Sequence, residues 1–191
     1  MRYAAQSGEA KLSKSNGSLM RSSPIGIYCH KLPIEQVAHI AGLICGLSHP
    51  NPTVIYAVQS YCIAIARLVD GVKPLEAFNI TKEWLKTKAQ DPGAQEVLQW
   101  LNEAEEFADD AAIGKRELGV LEHLHVPYHP GSGFVRVGYY HAFKHLLMGT
   151  PIYGAIAEVL SGGGDTGKFD VKRYYILMRD KCMQPACFST N

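Results

Sequence analysis

The sequence predicts an all-α fold, a compact multi-helical single domain, on three observations. Apolar residues recur three and four apart in successive stretches. Asn, Pro and Gly stand where such stretches begin and end. No segment sustains the alternation with period two that a half-buried strand shows, and no internal repeat or low-complexity tract is evident.

Residues 1–14 are polar and read as a flexible lead-in. Ser15-Asn16-Gly17-Ser18-Leu19-Met20-Arg21-Ser22-Ser23-Pro24 follows. Its small residues would bring backbone N–H groups close to a ligand, and such groups ahead of a helix attract phosphate. An Asn-Gly turn by itself fits a plain loop equally well. Leu32-Pro33 opens a helix carried by Ile34, Val37, Ala38, Ile40, Ala41 and Ile44 and ending at Gly46. Ser48 to Pro52 is a turn. Asn51 then caps a long helix that has Pro52 at its first position, runs to about Val69 and has Gly71 behind it. Val54, Ile55, Val58, Tyr61, Cys62, Ile65 and Leu68 make it apolar nearly all round, which predicts the central helix. His49 precedes it, with its ring either facing a cleft or satisfied by a loop carbonyl.

Pro74 to Thr87 reads as the next helix, with Leu75, Phe78 and Trp84 to pack. From Asp91-Pro92 another begins, with Val97, Leu98, Leu101, Ala104 and Phe107 in one stripe. Glu96, Glu103 and Glu106 lie opposite and read as a solvated face. Lys115 to His123 is short enough for a helical turn. His123, His125 and His129 form a His-rich loop of a kind that binds transition metals, but the histidines do not share one helix face and carboxylates are few. Ser132 is expected to cap a helix from Gly133 to Met148, ended by Gly149. Thr150 as cap and Pro151 at the first position then open a short helix that runs into Gly162, Gly163 and Gly164. Those glycines could turn Asp165 into a cleft, where its carboxylate and the Thr166 hydroxyl would suit a hard cation. The bland alternative is a glycine helix stop followed by a solvated Asp.

Net charge is +1 with 19% charged residues, so the sequence carries no broad footprint for nucleic acid. The apolar share is 47%, and no uninterrupted apolar stretch reaches membrane-spanning length. The N-terminus lacks an apolar signal core. Cys29, Cys45 and Cys62 lie in apolar periodic stretches and read as buried thiols, while Cys182 and Cys187 have no partner pair at zinc spacing. A reducing cytoplasm is the expected location.

Four segments, taken in order, resemble the ADP-ribosylglycohydrolase family, the dinitrogenase reductase-activating glycohydrolase type. They are Ser15 to Pro24, Ser48-His49, Gly133-Phe134-Val135 with Ala142-Phe143, and Gly162-Gly163-Gly164-Asp165-Thr166. The first is similar to the family's Gly-Asn-Gly-Ser-Leu-Met-Arg segment, the last to its Gly-Gly-Asp-Thr-Asp-Thr metal motif. The resemblance runs from about residue 14 to 166, and corresponds to about the second half of a typical member. It divides the chain into the lead-in 1–14, a partial family-like helical domain 15–168 and a divergent tail 169–191.

The resemblance implies an all-α fold that binds ADP-ribose in a cleft beside Mg²⁺ ions and hydrolyses the N- or O-glycosidic bond between ribose and a modified side chain. It would place Asn16, Gly17 and Ser18 by the diphosphate or distal ribose, Arg21 as a brace for that loop, and His49 against the ADP-ribose. Asp165, with Thr166, would ligate Mg²⁺. No catalytic residue is assigned. The family's Thr-Asp-Asp metal cluster has no counterpart before Ser15, and Gly167 and Lys168 stand where its second Asp and last Thr are expected. Lys168 would repel Mg²⁺ or take its place. The implied partner is ADP-ribose or an ADP-ribosylated protein, with neither nucleic acid nor membrane involved. The alternative reading is a non-catalytic helical interaction or ADP-ribose-binding module, whose uncovered apolar faces would favour self-association.

Overall fold

A computed structural model describes residues 8–112 and 133–161. In chain order its helices are α1 (Gly8–Leu12), α2 (Ser23–Tyr28), α3 (Ile34–Gly46), α4 (Pro52–Val69), α5 (Pro74–Lys86), α6 (Pro92–Ala112), α7 (Val135–Leu147) and α8 (Ile152–Ser161), with a 3-10 turn at Leu19–Arg21 ahead of α2. The described residues form no strand, only a single antiparallel bridge between Ser15 and Phe134. The fold is all-α.

The helix with apolar residues on every side is the one the others surround. Val54, Ala57, Val58, Cys62, Ile63 and Ala66 of α4 are fully buried, and α2, α3, α5, α6 and α7 all pack on it. Each large apolar side chain so buried contributes about 1.5–3 kcal/mol. By length and apolarity α4 is the one described helix that could cross a membrane, but half of that span is buried inside the protein.

Its ends are built as the sequence indicates. The Asn51 side chain accepts from the N–H groups of Thr53 (3.0 Å) and Val54 (3.4 Å). At the other end Gly71 takes φ +87°, and the N–H groups of Gly71 and Val72 return to the carbonyls of Leu68 and Arg67. That pairing is a Schellman stop, and it needs the left-handed angle that glycine adopts without strain. Gly149 (φ +59°) repeats it behind α7, with the N–H groups of Gly149 and Thr150 returning to Leu146 and His145.

A polar clasp joins α4 to α7 through the core. Ser60 Oγ donates to the Tyr56 carbonyl (2.7 Å) and accepts from the Tyr139 hydroxyl (2.7 Å), so both buried oxygens are satisfied. Around Tyr139 the rings of Trp100, Phe143 and Phe134 stack edge-on and tilted, with Trp100–Tyr139 centroids 6.0 Å and Tyr139–Phe143 centroids 4.8 Å apart. Trp100, which the apolar stripe on α6 leaves out, is 3% exposed.

Four expectations need correction. Helix α7 begins at Val135, not Gly133, because Gly133 and Phe134 are extended against the N-terminal segment: Asn16 N–H donates to the Gly133 carbonyl (2.6 Å) and Val135 N–H to that of Lys14 (2.9 Å). The expected cap Ser132 lies outside the described residues. Helix α8 begins at Ile152, because Thr150 turns back to α7 instead of capping forward. Of the three acids of α6 read as a solvated face, Glu106 is exposed but Glu96 and Glu103 are engaged. Glu96 accepts from Lys14 Nζ (2.6 Å) and Thr53 Oγ1 (2.8 Å), and Glu103 accepts from Arg136 Nη2 (2.7 Å). Within the stretch read as a flexible lead-in, Gly8–Leu12 is helical and the Lys11 carbonyl accepts from Asn51 Nδ2 at 2.8 Å.

Helix α2 approaches α4 through Gly26, where a Cβ would meet Ile65 Cβ and Cγ2 at 2.8 Å and the Cys62 carbonyl at 2.9 Å. Gly46, by contrast, faces open space at the end of α3. We expect Gly26→Ala to lose about 1–3 kcal/mol through overpacking, and Gly46→Ala to gain up to about 1 kcal/mol. Urea midpoints of the two variants, read against the parent, check both signs.

Candidate functional site

Helix α3 ends by turning its chain over itself. The N–H groups of Ser48 and His49 both return to the Cys45 carbonyl, at 3.1 and 2.9 Å. His49 is thereby held between the end of α3 and the Asn51 cap of α4. On the other side of the corner the 15–22 segment is pinned by the Ser15–Phe134 bridge, by Lys14 on Glu96 and by Asn16 O, which accepts from Met20 N–H at 3.0 Å. The corner therefore owes its shape to α4, α6 and α7 together.

There the two sequence-distant segments touch. A Cβ on Gly17 would lie 3.0 Å from His49 Nε2 and 3.2 Å from its Cε1, so the ring covers a place only glycine leaves open. Arg21 Nη2 donates to Ser48 Oγ, and Ser48 Oγ lies 2.8 Å from His49 Nδ1. The Ser48 hydroxyl, accepting from Arg21, still has its own proton to give to Nδ1, and in that tautomer the ring proton is on Nε2. Burial, and then the charge of Arg21, hold His49 below the ordinary imidazole range, so at neutral pH it is a neutral N–H donor. Its ring is satisfied by a serine hydroxyl, not by the loop carbonyl that the sequence left open.

Of the residues expected to bind ADP-ribose, Gly17, Arg21 and His49 thus meet in one corner, with Asn16 beside Gly17 in the chain. Ser18 is different. It is 2% exposed and its hydroxyl bonds to the Cys45 thiol, so it shapes the loop from beneath. Burial raises Cys45 against the opposing influence of Ser18 and Arg21, which keeps it a protonated, unreactive thiol. The helices after the loop are a three-residue 3-10 turn and a six-residue α2. Their dipoles are too short to be the main attraction for a phosphate. The expected metal ligands Asp165 and Thr166, and the His123–His129 loop, lie outside the described residues.

The family model for ADP-ribosylglycohydrolase matches residues 1–168. The chain belongs to that family. No curated protein and no solved structure matches it. ADP-ribosylglycohydrolases are metal-dependent hydrolases that act on ADP-ribosylated substrates.

The described residues do bring one possible metal-binding group together: His141 and His145 of α7 with Glu158 of α8. Two imidazole nitrogens and one carboxylate do not suit Mg²⁺, which takes oxygen ligands, so this group is not the site the family resemblance implies. The signal for it was in the sequence, since histidines four apart share one helix face, but the partner carboxylate comes from another helix and has no spacing rule. A cavity of about 440 Å³ lies elsewhere, lined by Glu35, His39, Tyr56, Trp84, Lys88 and Asp91, and contains none of the expected site residues. Lys88 pairs with Glu35 there, and the Tyr56 hydroxyl donates to Asp91.

The pH behaviour of His49 follows from its surroundings. It should titrate below about 6.5, and Arg21→Gln should move it back toward that value by removing one of the two depressing influences. The sign for stability is fixed by the same shift: as pH falls the unfolded chain takes up this proton first, so the contribution is full above about 6.5 and lost below it. A ¹H NMR titration of the ring measures it, and an unchanged His49 value in Arg21→Gln would contradict the geometry.

Proposed function

We propose that the chain recognises ADP-ribose, free or attached to a modified side chain, at the corner formed by Asn16, Gly17, Arg21 and His49. The observation that carries this reading is the approach of His49 to Gly17, which joins the segment closest to the family's, Ser15 to Pro24, with the Ser48-His49 segment. Gly17 leaves the room that the His49 ring takes up, and His49, held there, can offer an N–H that a phosphate or ribose oxygen accepts. Arg21 positions both: its bond to Ser48 fixes the imidazole, and its bond to the Ile44 carbonyl (3.5 Å) ties the loop to the end of α3. Charge-assisted bonds of this kind hold a geometry better than neutral ones. Family membership makes cleavage of the glycosidic bond at the ribose the reaction to test.

A second reading is favoured by one specific observation. Cleavage needs a carboxylate able to activate water, and three acids of α6 are already engaged. Glu96 is held by Lys14 and Thr53, Glu103 by Arg136, and Glu105 by Lys82 at 2.5 Å. This pattern favours ADP-ribose binding without turnover.

Ligand saturation separates the outcomes. At 100 times its Kd, ADP-ribose should stabilise the chain by about 2.7 kcal/mol, which is a rise in Tm of roughly 5–10 °C for a domain of this size. His49→Ala and Arg21→Ala should each weaken binding about 10-fold. No shift in the parent chain removes the proposal. Release of ADP-ribose from ADP-ribosylated arginine supports the hydrolase, and a thermal shift without release supports the binding module.

A further inference from the structure

We propose that His141, His145 and Glu158 form a binding site for a transition-metal dication of the zinc or cobalt kind. The two histidines are one turn apart on α7, 2% and 7% exposed, with rings 6.3 Å apart and inclined by only 30°. Glu158 reaches across from α8, its Oε2 lying 3.7 Å from His145 Nε2. All three donor atoms fall within 4.8 Å of one another. Around a zinc-sized ion with bonds of about 2.0–2.2 Å, tetrahedral ligands stand about 3.4 Å apart. The widest pair therefore has to close by up to about 1.4 Å, and the side chain of Glu158, 40% exposed, lies partly in solvent.

The surroundings of His145 are those of a ligand held in place. Thr150 Oγ1 lies 3.2 Å from its Nδ1, and the left-handed turn at Gly149 puts the threonine there. Such a bond to the outer nitrogen fixes the ring and aims the inner one. That inner nitrogen, Nε2, is buried and makes no hydrogen bond among the described residues. Burial also keeps His145 below the ordinary imidazole range, and the neutral ring is the form that ligates. Lys144 is the opposing feature. Its ammonium, buried over the Phe107 ring at 4.9 Å, bonds Glu158 Oε1. It adds a positive charge beside the three ligands, so the site as built binds less tightly than those ligands alone would allow. Three protein ligands also leave coordination positions open for water or a small anion.

The test uses the full chain, stripped with a chelator and titrated with Co²⁺, whose visible absorption reports nitrogen ligation. A band that Zn²⁺ displaces is expected. It should vanish in His141→Gln/His145→Gln and persist when His123, His125 and His129 are all changed to Gln. Thr150→Val should weaken Co²⁺ binding by about 10-fold or more. Lys144→Met should tighten it by about 10-fold or more, a gain that a damaged fold could not produce. Circular dichroism of each variant tells loss of ligand from loss of structure, and where the double histidine variant does not fold, the Thr150 and Lys144 variants decide. The proposal is overturned if the parent chain gives no band, if the band survives the double variant, or if Lys144→Met fails to tighten binding.

Discussion

Burial of α4 on every side is the constraint from which the other arrangements follow. A helix with Val54, Val58, Cys62 and Ile63 distributed around its circumference cannot lie on a surface, so neighbours must cover it all round. What those neighbours bring to its two polar features then sets the sites. At its start Asn51 caps the helix and also donates to the Lys11 carbonyl, which brings the N-terminal segment to the corner where His49 stands. At its middle Ser60 accepts from Tyr139 and fixes α7, the helix that carries His141 and His145. Losing either bond would leave buried polar atoms without partners, at a cost of about 1–3 kcal/mol each.

The parts of this fold legible in the sequence are those whose signals are local. The Pro33–Ile34, Asn51–Pro52 and Asp91–Pro92 starts, and the glycine stops at 46, 71 and 149, lie within a few residues of the helices they bound, and α3 to α6 come out nearly as read. The misreadings share one cause. The start of α7 was displaced by pairing with Ser15 and Lys14 from the far end of the chain, and the start of α8 by the return of Thr150 to His145. Glu96 and Glu103 look solvated on a helical wheel, which cannot show that Lys14 and Arg136 will be delivered to them. Short elements such as α2 also escape, since six residues contain too few turns to display a period.

The candidate site divides along the same line. The residue types around Gly17 and His49 could be named in advance, because a close backbone approach demands glycine and a neutral donor near pH 7 is most readily histidine. Their meeting could not, and neither could the part of Ser48. That hydroxyl converts the charge of Arg21 into an orientation of the His49 ring, and it does so only because α3 ends by folding Ser48 and His49 back onto Cys45.

Two kinds of donor chemistry stand on one helical frame. The corner offers N–H donors to an anion, whereas the group on α7 and α8 offers lone pairs to a cation. Placed side by side they would spoil each other, since a dication beside Arg21 would compete for the same phosphate oxygens and raise the cost of the guanidinium. Helix α7 serves both without conflict because it uses different parts of its length. Its extended lead, Gly133-Phe134, receives the N-terminal segment, while its last two turns and the Gly149 stop present His141, His145 and Thr150. Shifting the start of α7 back to Gly133 would release the 15–22 segment while leaving His141 and His145 on one face. The extended start of α7, the feature least visible in the sequence, is therefore what couples the Gly17–His49 corner to the core.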